Sequence, residues 1–304
     1  MEKVKQKRSL AFKIVDIFYI CLMVLPILGA IVLKVLTKPQ SDGISITGAQ
    51  IFFTIKMPFQ DLLITESQIN SLCVTITILG LCLFLTHGLK TRDVSIRQHV
   101  AEWLVEKAEG LVHANMGEYF ISLTAFIGAI LVLSAFSSLL ALFGLYPPTS
   151  DINVVGGWAI LVFALITYYK FKCGPWGYIK SFGDPAPLLA PLNVISEVAT
   201  PFAMAFRHYG NIISGTVIGT LLAAAFQGLS KLVLGWLPGV LGDIAFLQIG
   251  IPAILSLYFD VFSSVLQAYI FAMLTMMYVS SAFNQDEYFA IQQRKQLKKS
   301  KKSL

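Results

Sequence analysis

The chain has 304 residues, of which 56% are apolar and only 13% are charged, and its formal net charge is +6. Soluble domains carry about 25% charged residues, so this composition excludes a soluble single-core protein. The apolar residues occur in long runs, which favours an integral membrane protein built from helices.

Six apolar stretches are each long enough to cross a membrane as a helix, which requires about 20 residues because lipid leaves backbone amides unsatisfied. In chain order they are residues 14–36, 71–89, 119–143, 155–171, 194–226 and 246–283. The last two are longer than a perpendicular crossing needs, so we expect them to tilt or to project beyond the bilayer. The sequence therefore predicts an all-α, polytopic membrane protein of about six transmembrane helices.

The first stretch is interpreted as a spanning helix and not as a cleaved signal peptide. Its end, from Lys34 to Pro39, offers no small-residue cleavage site. Basic residues then set the orientation: one set of segment ends, which includes both termini, holds 18 Lys and Arg residues, and the opposite set holds four. Because cytoplasmic ends carry this excess, we expect both termini to be cytoplasmic, in a bacterial cytoplasmic membrane.

Two connections between the spans contain sequence features that predict their local structure. The outer connection 43–70 contains Pro58, which would break a helix there. Residues 94–113 place apolar side chains such as Ile96, Trp103 and Leu104 at helical spacing. This pattern predicts an amphipathic helix, which lies either at the cytoplasmic membrane interface or in solvent as a linker.

Ionisable and amide side chains enter the membrane almost entirely in the last two spans. Ionisable groups are expensive in lipid, so they are candidate functional residues by default. The fifth span contains Glu197, Arg207, His208 and Asn211, and the sixth contains Asp260 and Gln267. Two polar stripes on consecutive long helices predict a hydrated path or a surface that meets another charged protein.

Arg207 is the central candidate, because a guanidinium keeps its proton at any useful pH and cannot carry protons itself. It can instead hold a nearby carboxylate in the ionised form. Two interpretations stay open from the residues alone. Either Arg207 pairs with Glu197 or Asp260 to join two helices, or it acts in transport.

Small residues follow Arg207 along the fifth span. Ser214 lies beside Gly215, and the spacing of Gly215 and Gly219 is the small-xxx-small pattern that lets another helix approach closely. The pattern is common by chance in membrane helices, so by itself it indicates no specific partner helix.

Four motifs, in order along the chain, resemble the subunit a family of F-type ATP synthases. The strongest is PLNVISEVATPFAMAFRHYGN at 191–211, which is similar to the family pattern of Pro-x-Asn, an acidic residue, Pro and then Arg-x-x-Gly-Asn. LQAYIFAMLTMMYVS at 266–280 resembles the last helix of the family. PPTSDIN at 147–153 and ANMG at 114–117 resemble the approaches to two earlier helices. The resemblance extends over 51–283.

That resemblance implies a stator protein that passes ions through two half-channels beside a rotating ring of c subunits. Arg207 corresponds to the essential arginine that separates the half-channels. Asn211 and Gln267 match the polar residues that flank it, and Glu197 matches the acidic position on the cytoplasmic side. The last two helices are then expected to lie tilted against the c-ring. The expected coupling ion is a proton, with sodium as the alternative.

Two departures from the family pattern change what is expected of particular residues. His208 follows the arginine where the family often has Leu. It lies about 100° around the helix from Arg207, so it either packs beside the channel or contributes to it. Thr216 and Asp260 occupy positions where the family often has an acid and a His. Asp260 is therefore the expected titratable relay of the outer half-channel, with Thr216 and Ser214 as further possible contributors.

The resemblance also divides the chain and names its partners. Residues 51–283 are the expected subunit a domain, 1–50 an extra N-terminal transmembrane helix with its outer connection, and 284–304 a basic cytoplasmic tail. The expected partners are the c-ring, a b-type peripheral stalk, the remaining F-type subunits and the lipid bilayer, with no nucleic acid.

The chain is expected to be a non-catalytic subunit. It contains no Gly-x-x-x-x-Gly-Lys-Ser/Thr loop, so no nucleotide chemistry is expected on it, and neither a cofactor nor a metal is expected. The alternative is a secondary transporter whose substrate site is lined by Arg207, Glu197 and Asp260.

Overall fold

The computed structural model describes residues 10–37, 48–58, 61–91, 94–183, 187–234, 254–255, 257–284, 288–289 and 292–293. Most of the predicted basic tail, 284–304, and the first part of the predicted sixth span, 246–253, lie outside the described residues. Six helical segments of the described chain are long and apolar enough to cross a membrane. This confirms the predicted number of spans.

The helices and strands of the described chain are, in order, α1 (Leu10–Thr37), β1 (Ile51–Ile55), β2 (Leu62–Thr65), α2 (Glu66–Thr86), α3 (Ile96–Met116), α4 (Thr124–Leu139), α5 (Ile152–Cys173), α6 (Pro175–Ser181), α7 (Ala190–Leu234) and α8 (Ser264–Ser281). Short 3₁₀ turns lie at Glu118–Leu123, Leu140–Phe143, Pro148–Ser150 and Pro187–Leu189. A π-helix at Leu257–Ser263 leads directly into α8.

Helix α7 is one continuous helix of 45 residues. At 1.5 Å per residue it is about 68 Å long, which is more than twice the thickness of a hydrocarbon core. The helix extends beyond the predicted fifth span, 194–226, at both ends. Pro201 lies inside the helix, where it leaves the backbone carbonyl of Glu197 without its usual helical donor.

Helix α2 begins at Glu66 rather than at the predicted position 71. The side chain of Gln68 accepts a hydrogen bond from the backbone N–H of Thr65, at 3.4 Å, and so helps to cap the first turn. A carboxylate in the first turn also favours the helix dipole. Hydropathy alone missed this polar turn because its side chains find partners on other elements.

The extra N-terminal helix α1 is held against α2 by an ion pair at one end. Lys34 Nζ donates to Glu66 Oε1 at 2.8 Å. Glu66 is 3% exposed, and the same oxygen accepts the backbone N–H of Tyr146 at 3.1 Å. The pair thus joins α1, α2 and the turn before α5.

A second polar cluster joins the other end of α1 to the start of α3. Asp16 Oδ1 accepts a hydrogen bond from Arg97 Nη1 at 2.9 Å and lies 2.9 Å from His87 Nδ1. The Arg97 guanidinium also lies 4.8 Å from the ring centroid of Phe84, within cation–π distance. Helix α1 is therefore tied to the bundle at both ends.

Between these two ties, α1 and α2 approach closely at Gly80. A Cβ atom at Gly80 would lie 3.0 Å from the backbone nitrogen of Met23 and 3.2 Å from the carbonyl carbon of Leu22. Pro26 lies one turn further along α1 and removes the helical donor to Leu22. Only glycine lets the two backbones meet at this distance.

An antiparallel hairpin lies in the connection between α1 and α2. Strands β1 and β2 pair with Ile55 opposite Leu62 and Ile51 opposite Thr65. Pro58 lies in the turn region, and no helix forms there in the described part of the connection. The hairpin adds a small β element to the all-α architecture.

Helix α3 matches the predicted amphipathic segment, and it extends to Met116. Its far end enters the core through Val112 and Met116, which are 0% and 5% exposed. The predicted apolar stripe, including Ile96 and Trp103, is exposed on the protein surface. Such a stripe is suited to the membrane interface, and that location stays a prediction.

The largest buried cluster joins the far end of α3 to α4, α5 and α8. The ring of Tyr119 stacks on Phe283 with centroids 4.4 Å apart. The Lys172 ammonium lies 5.4 Å from the rings of both Tyr119 and Tyr288. These contacts hold α8 in place, and α8 carries one of the candidate polar stripes.

Candidate functional site

Helix α7 presents a buried face and an exposed face, and Arg207 lies on the exposed one. Met204, Ala205 and Ile212 on the buried face are 2%, 2% and 7% exposed. Phe206, beside Arg207, is 59% exposed. Within the described residues, no hydrogen bond or ion pair to the Arg207 guanidinium occurs. The arginine therefore points away from the bundle.

Arg207 does not pair with Glu197, one of its two candidate carboxylate partners, because Glu197 pairs elsewhere. Lys170 Nζ donates to Glu197 Oε1 at 2.8 Å, and Tyr178 Oη donates to the same oxygen at 2.8 Å. Burial and the bond to Glu197 together raise the pKa of Tyr178 to about 12. Arg207 lies ten residues further along α7, about 15 Å along the axis.

His208, the residue after Arg207, is fully buried. Its Nε2 atom lies 3.2 Å from Ser134 Oγ of α4. Its ring meets Trp158 of α5 and Phe271 of α8, with centroids 6.2 and 5.8 Å away. Its Nδ1 atom has no hydrogen-bond partner among the described residues. His208 thus lies where four helices meet.

Asn211 joins α7 to the π-helix. Its side-chain oxygen accepts a hydrogen bond from Ser263 Oγ at 2.9 Å, and its Nδ2 donates to the Ser263 carbonyl at 3.4 Å. Asp260 lies in the same π-helix and is partly exposed. π-Helical turns are rare and occur frequently at functional sites. Asn211 therefore holds the segment that carries Asp260.

Gly215 is buried and packs against the π-helix that precedes α8. A Cβ atom there would lie 3.3 Å from the Cβ atom of Phe259 in the π-helix. At Gly219 a Cβ atom would meet nothing within 4 Å. The close approach at Gly215 is thus intramolecular, between α7 and the π-helix.

The remaining predicted site residues fall on different faces. Gln267 is 6% exposed on α8, one turn beyond the π-helix. Thr216 Oγ1 donates to the Ile212 carbonyl of its own helix at 3.0 Å, and the residue is exposed. Ser214 is exposed on α7. The structure thus bonds Asn211 to the π-helix that carries Asp260, places Gln267 one turn beyond that π-helix, and leaves Glu197 in a separate cluster.

Four partners of the predicted residues were not foreseen from the sequence: Lys170, Tyr178, Ser134 and Ser263. From the sequence, Lys170 is one of the basic residues that set the orientation of the chain. Hydropathy does not distinguish Ser134 and Ser263 from the other serines within the spans. A sign that could have found Lys170 is its place within a span, near the end of α5, where a charge needs a partner.

Comparison with known proteins agrees with the motifs. A family model described as ATP synthase A chain matches residues 68–280. ATP synthase subunit a of Priestia megaterium is 33% identical over 242 residues, which cover 73% of this chain and 94% of that protein. The Bacillus subtilis subunit a is 31% identical over 231 residues, which cover 69% and 91%.

A relative from Propionigenium modestum, named ATP synthase subunit a, sodium ion specific, is 34% identical over 158 residues. That match covers 50% of this chain and 47% of the relative. Helix α1 and the hairpin both precede the first residue that the family model matches. The chain belongs to the ATP synthase A chain family, whose members translocate ions together with the c-ring to support ATP synthesis.

Proposed function

We propose that this chain translocates protons through two half-channels separated by Arg207. One observation carries the proposal: Arg207 lies on the exposed face of α7, with no carboxylate beside it among the described residues. A permanent cation in an apolar environment needs an anion. A carboxylate on the c-ring, once it has released its proton, meets that need.

The other predicted residues take roles on either side of Arg207. Asp260 relays ions in the outer half-channel, and Asn211 and Gln267 support it at the junction of α7 with the π-helix and α8. Glu197 is the acidic group of the inner half-channel. Thr216 and Ser214 are exposed on α7, and the buried His208 packs α7 against the neighbouring helices.

The proposed setting is the cytoplasmic membrane of a bacterium, with both termini in the cytoplasm. The distribution of Lys and Arg supports this orientation, and the relatives named above are bacterial. With this orientation the Lys170–Glu197 pair lies at the inner side and the Lys34–Glu66 pair at the outer side.

The proposed assembly includes the c-ring, a b-type peripheral stalk and the catalytic subunits. Residues 51–283 form the subunit a domain, 1–50 an added helix with its outer connection, and 284–304 a basic tail. The exposed apolar stripe of α3 supports a location at the membrane interface.

A sodium-coupled version is the second candidate. It is favoured by the sodium-specific name of the relative that is 34% identical over half of this chain. Sodium added at constant pH would then support ATP-driven uptake, whereas a proton-coupled complex pumps without it.

Replacing Arg207 with Ala tests the proposal. We expect ATP-driven ion uptake by inverted membrane vesicles to be lost, while c and catalytic subunits still copurify with the chain. Lys231→Ala is the matched control, because Lys231 is an exposed cation in the last turn of the same helix. Coupled pumping at the wild-type rate in an assembled Arg207→Ala complex would overturn the proposal.

A further inference from the structure

A cavity of about 320 Å³ lies between α5, α7 and α8, at the end of the bundle that contains Glu197. Its polar lining consists of Lys170, Asn193, Ser196, Glu197, Thr200, Tyr278 and Ser281. A polar cavity of this size can hold several water molecules. It is thus a water-accessible chamber beside the inner acidic residue.

One carboxylate oxygen of Glu197, which lines this chamber, accepts hydrogen bonds from two donors. Lys170 Nζ and Tyr178 Oη each lie 2.8 Å from Glu197 Oε1. The side chains of Lys170 and Glu197 are 29% and 12% exposed, so the pair is only partly screened by solvent. The Lys170 ammonium also lies 5.4 Å from the centroid of the Tyr178 ring.

The groups that face Glu197 come from every element around it. Helix α5 contributes the cation Lys170, α6 contributes Tyr178, and α8 contributes Tyr278. The neighbours from α7 itself, Asn193, Ser196 and Thr200, are uncharged. Among these described groups Lys170 is the one cation that can compete with a transported ion.

We propose that the Lys170 ammonium competes with the transported ion for the Glu197 carboxylate in the inner half-channel. An ion then reaches Glu197 only by displacing the Lys170 ammonium. Tyr178 positions the carboxylate for this exchange. The inference rests on the proposed function, because it assigns the chamber to the inner half-channel. It adds a residue that sets the ion concentration at which that channel fills.

This competition predicts that removing the Lys170 ammonium changes the proton concentration at which ATP-driven uptake is half-maximal. The maximal rate of uptake changes less. Without the ammonium, a transported ion no longer has to break the 2.8 Å contact between Lys170 and Glu197, so the inner half-channel fills at a lower ion concentration. The chamber, its hydroxyl groups and Arg207 stay in place, so turnover at saturating proton concentration is preserved. A positioning residue of this kind therefore moves the pH profile of uptake.

The experiment measures ATP-driven proton uptake by inverted vesicles over a range of medium pH, since their outer face is the cytoplasmic one. We expect Lys170→Gln to move the half-maximal rate to higher pH by at least about half a unit, or threefold in proton concentration. Lys170→Arg keeps the charge and should retain the wild-type midpoint. Lys180→Gln removes an exposed lysine from nearby α6 and should also leave it unchanged.

Two further variants keep the test decisive. Tyr178→Phe removes one donor to Glu197 and is expected to move the midpoint in the same direction, which serves if Lys170→Gln fails to assemble. In a Glu197→Gln background, Lys170→Gln should cause no further shift. Coincident profiles for Lys170→Gln and Lys180→Gln, or loss of pumping in an assembled Lys170→Gln complex, would overturn the inference. If the Lys170 inference fails in this way but Arg207→Ala still abolishes uptake, the proposed function of the chain is retained.

Discussion

The Oγ atom of Ser134 lies 3.2 Å from Nε2 of His208, so the residue after Arg207 is bonded to the neighbouring helix α4. Successive residues on a helix are about 100° apart. Because His208 is held inside the bundle, Arg207 must project from a different side of α7. The contacts of His208 on the buried face of α7 thus fix the rotation of this helix about its own axis. They are the hydrogen bond to Ser134 and the ring contacts with Trp158 and Phe271.

Replacing Ser134 with Ala should therefore destabilise the bundle. The loss leaves Nε2 of a fully buried imidazole without this partner, and we expect the free energy of unfolding to fall by about 1 kcal/mol. Equilibrium unfolding of the purified chain in mild detergent measures the change. Ser214→Ala on the exposed face of α7 is the control. Equal stability of the two variants would mean that the bond contributes nothing.

Releasing Asn211 from the π-helix should impair transport. Ser263→Ala removes the hydroxyl that donates to Asn211 at 2.9 Å, so the segment that carries Asp260 loses a fixed position. We expect ATP-driven uptake to fall several-fold while the complex stays assembled. Thr220→Val is the control, because that hydroxyl bonds only to the Val217 carbonyl of its own helix among the described contacts. An unchanged rate in Ser263→Ala would contradict the positioning role of Asn211.

Removing the cation Lys34 in the last turn of α1 should weaken the attachment of this helix to the bundle. Lys34→Met leaves the 3% exposed Glu66 without its countercharge, and we expect a loss of about 2 kcal/mol, below the cost for a fully buried pair. Unfolding in detergent measures it, with Lys231→Met as the control. The double variant Lys34→Met/Glu66→Gln should regain part of the loss. No recovery in the double variant would argue against a buried uncompensated charge as the cause.

Tyr178 should make the stability of the folded chain depend on pH in the alkaline range. Its pKa is raised from 10.0 to about 12 by burial and by the bond to Glu197. The raised pKa means that the folded state favours the protonated phenol. Its stabilisation is then fully present below pH 10 and is lost as the pH rises toward 12. We expect the wild-type chain to lose more stability than Tyr178→Phe over this interval, measured by unfolding at a series of pH values. Parallel curves would show that Tyr178 is not the titrating group.

Much of the fold could be predicted from the sequence because hydropathy is a local property of the chain. Apolar runs located all six spans, and helical spacing located α3. The start of α2 at Glu66 was missed, because its polar first turn is stabilised by Lys34 and Tyr146 from distant segments. The hairpin was also missed, since its two short strands stabilise each other only once they are paired.

The sequence by itself determined the membrane class of this protein, its polar residues within the spans and, through ordered motifs, the family resemblance. Tertiary structure alone decided which of those residues meet. Glu197 pairs with Lys170 rather than with Arg207, Gly215 packs against Phe259, and His208 turns inward. The physical reason is that an ion pair or a close approach depends on which helix faces lie opposite each other. That arrangement arises from packing among α4, α5, α7 and α8, and no single segment encodes it.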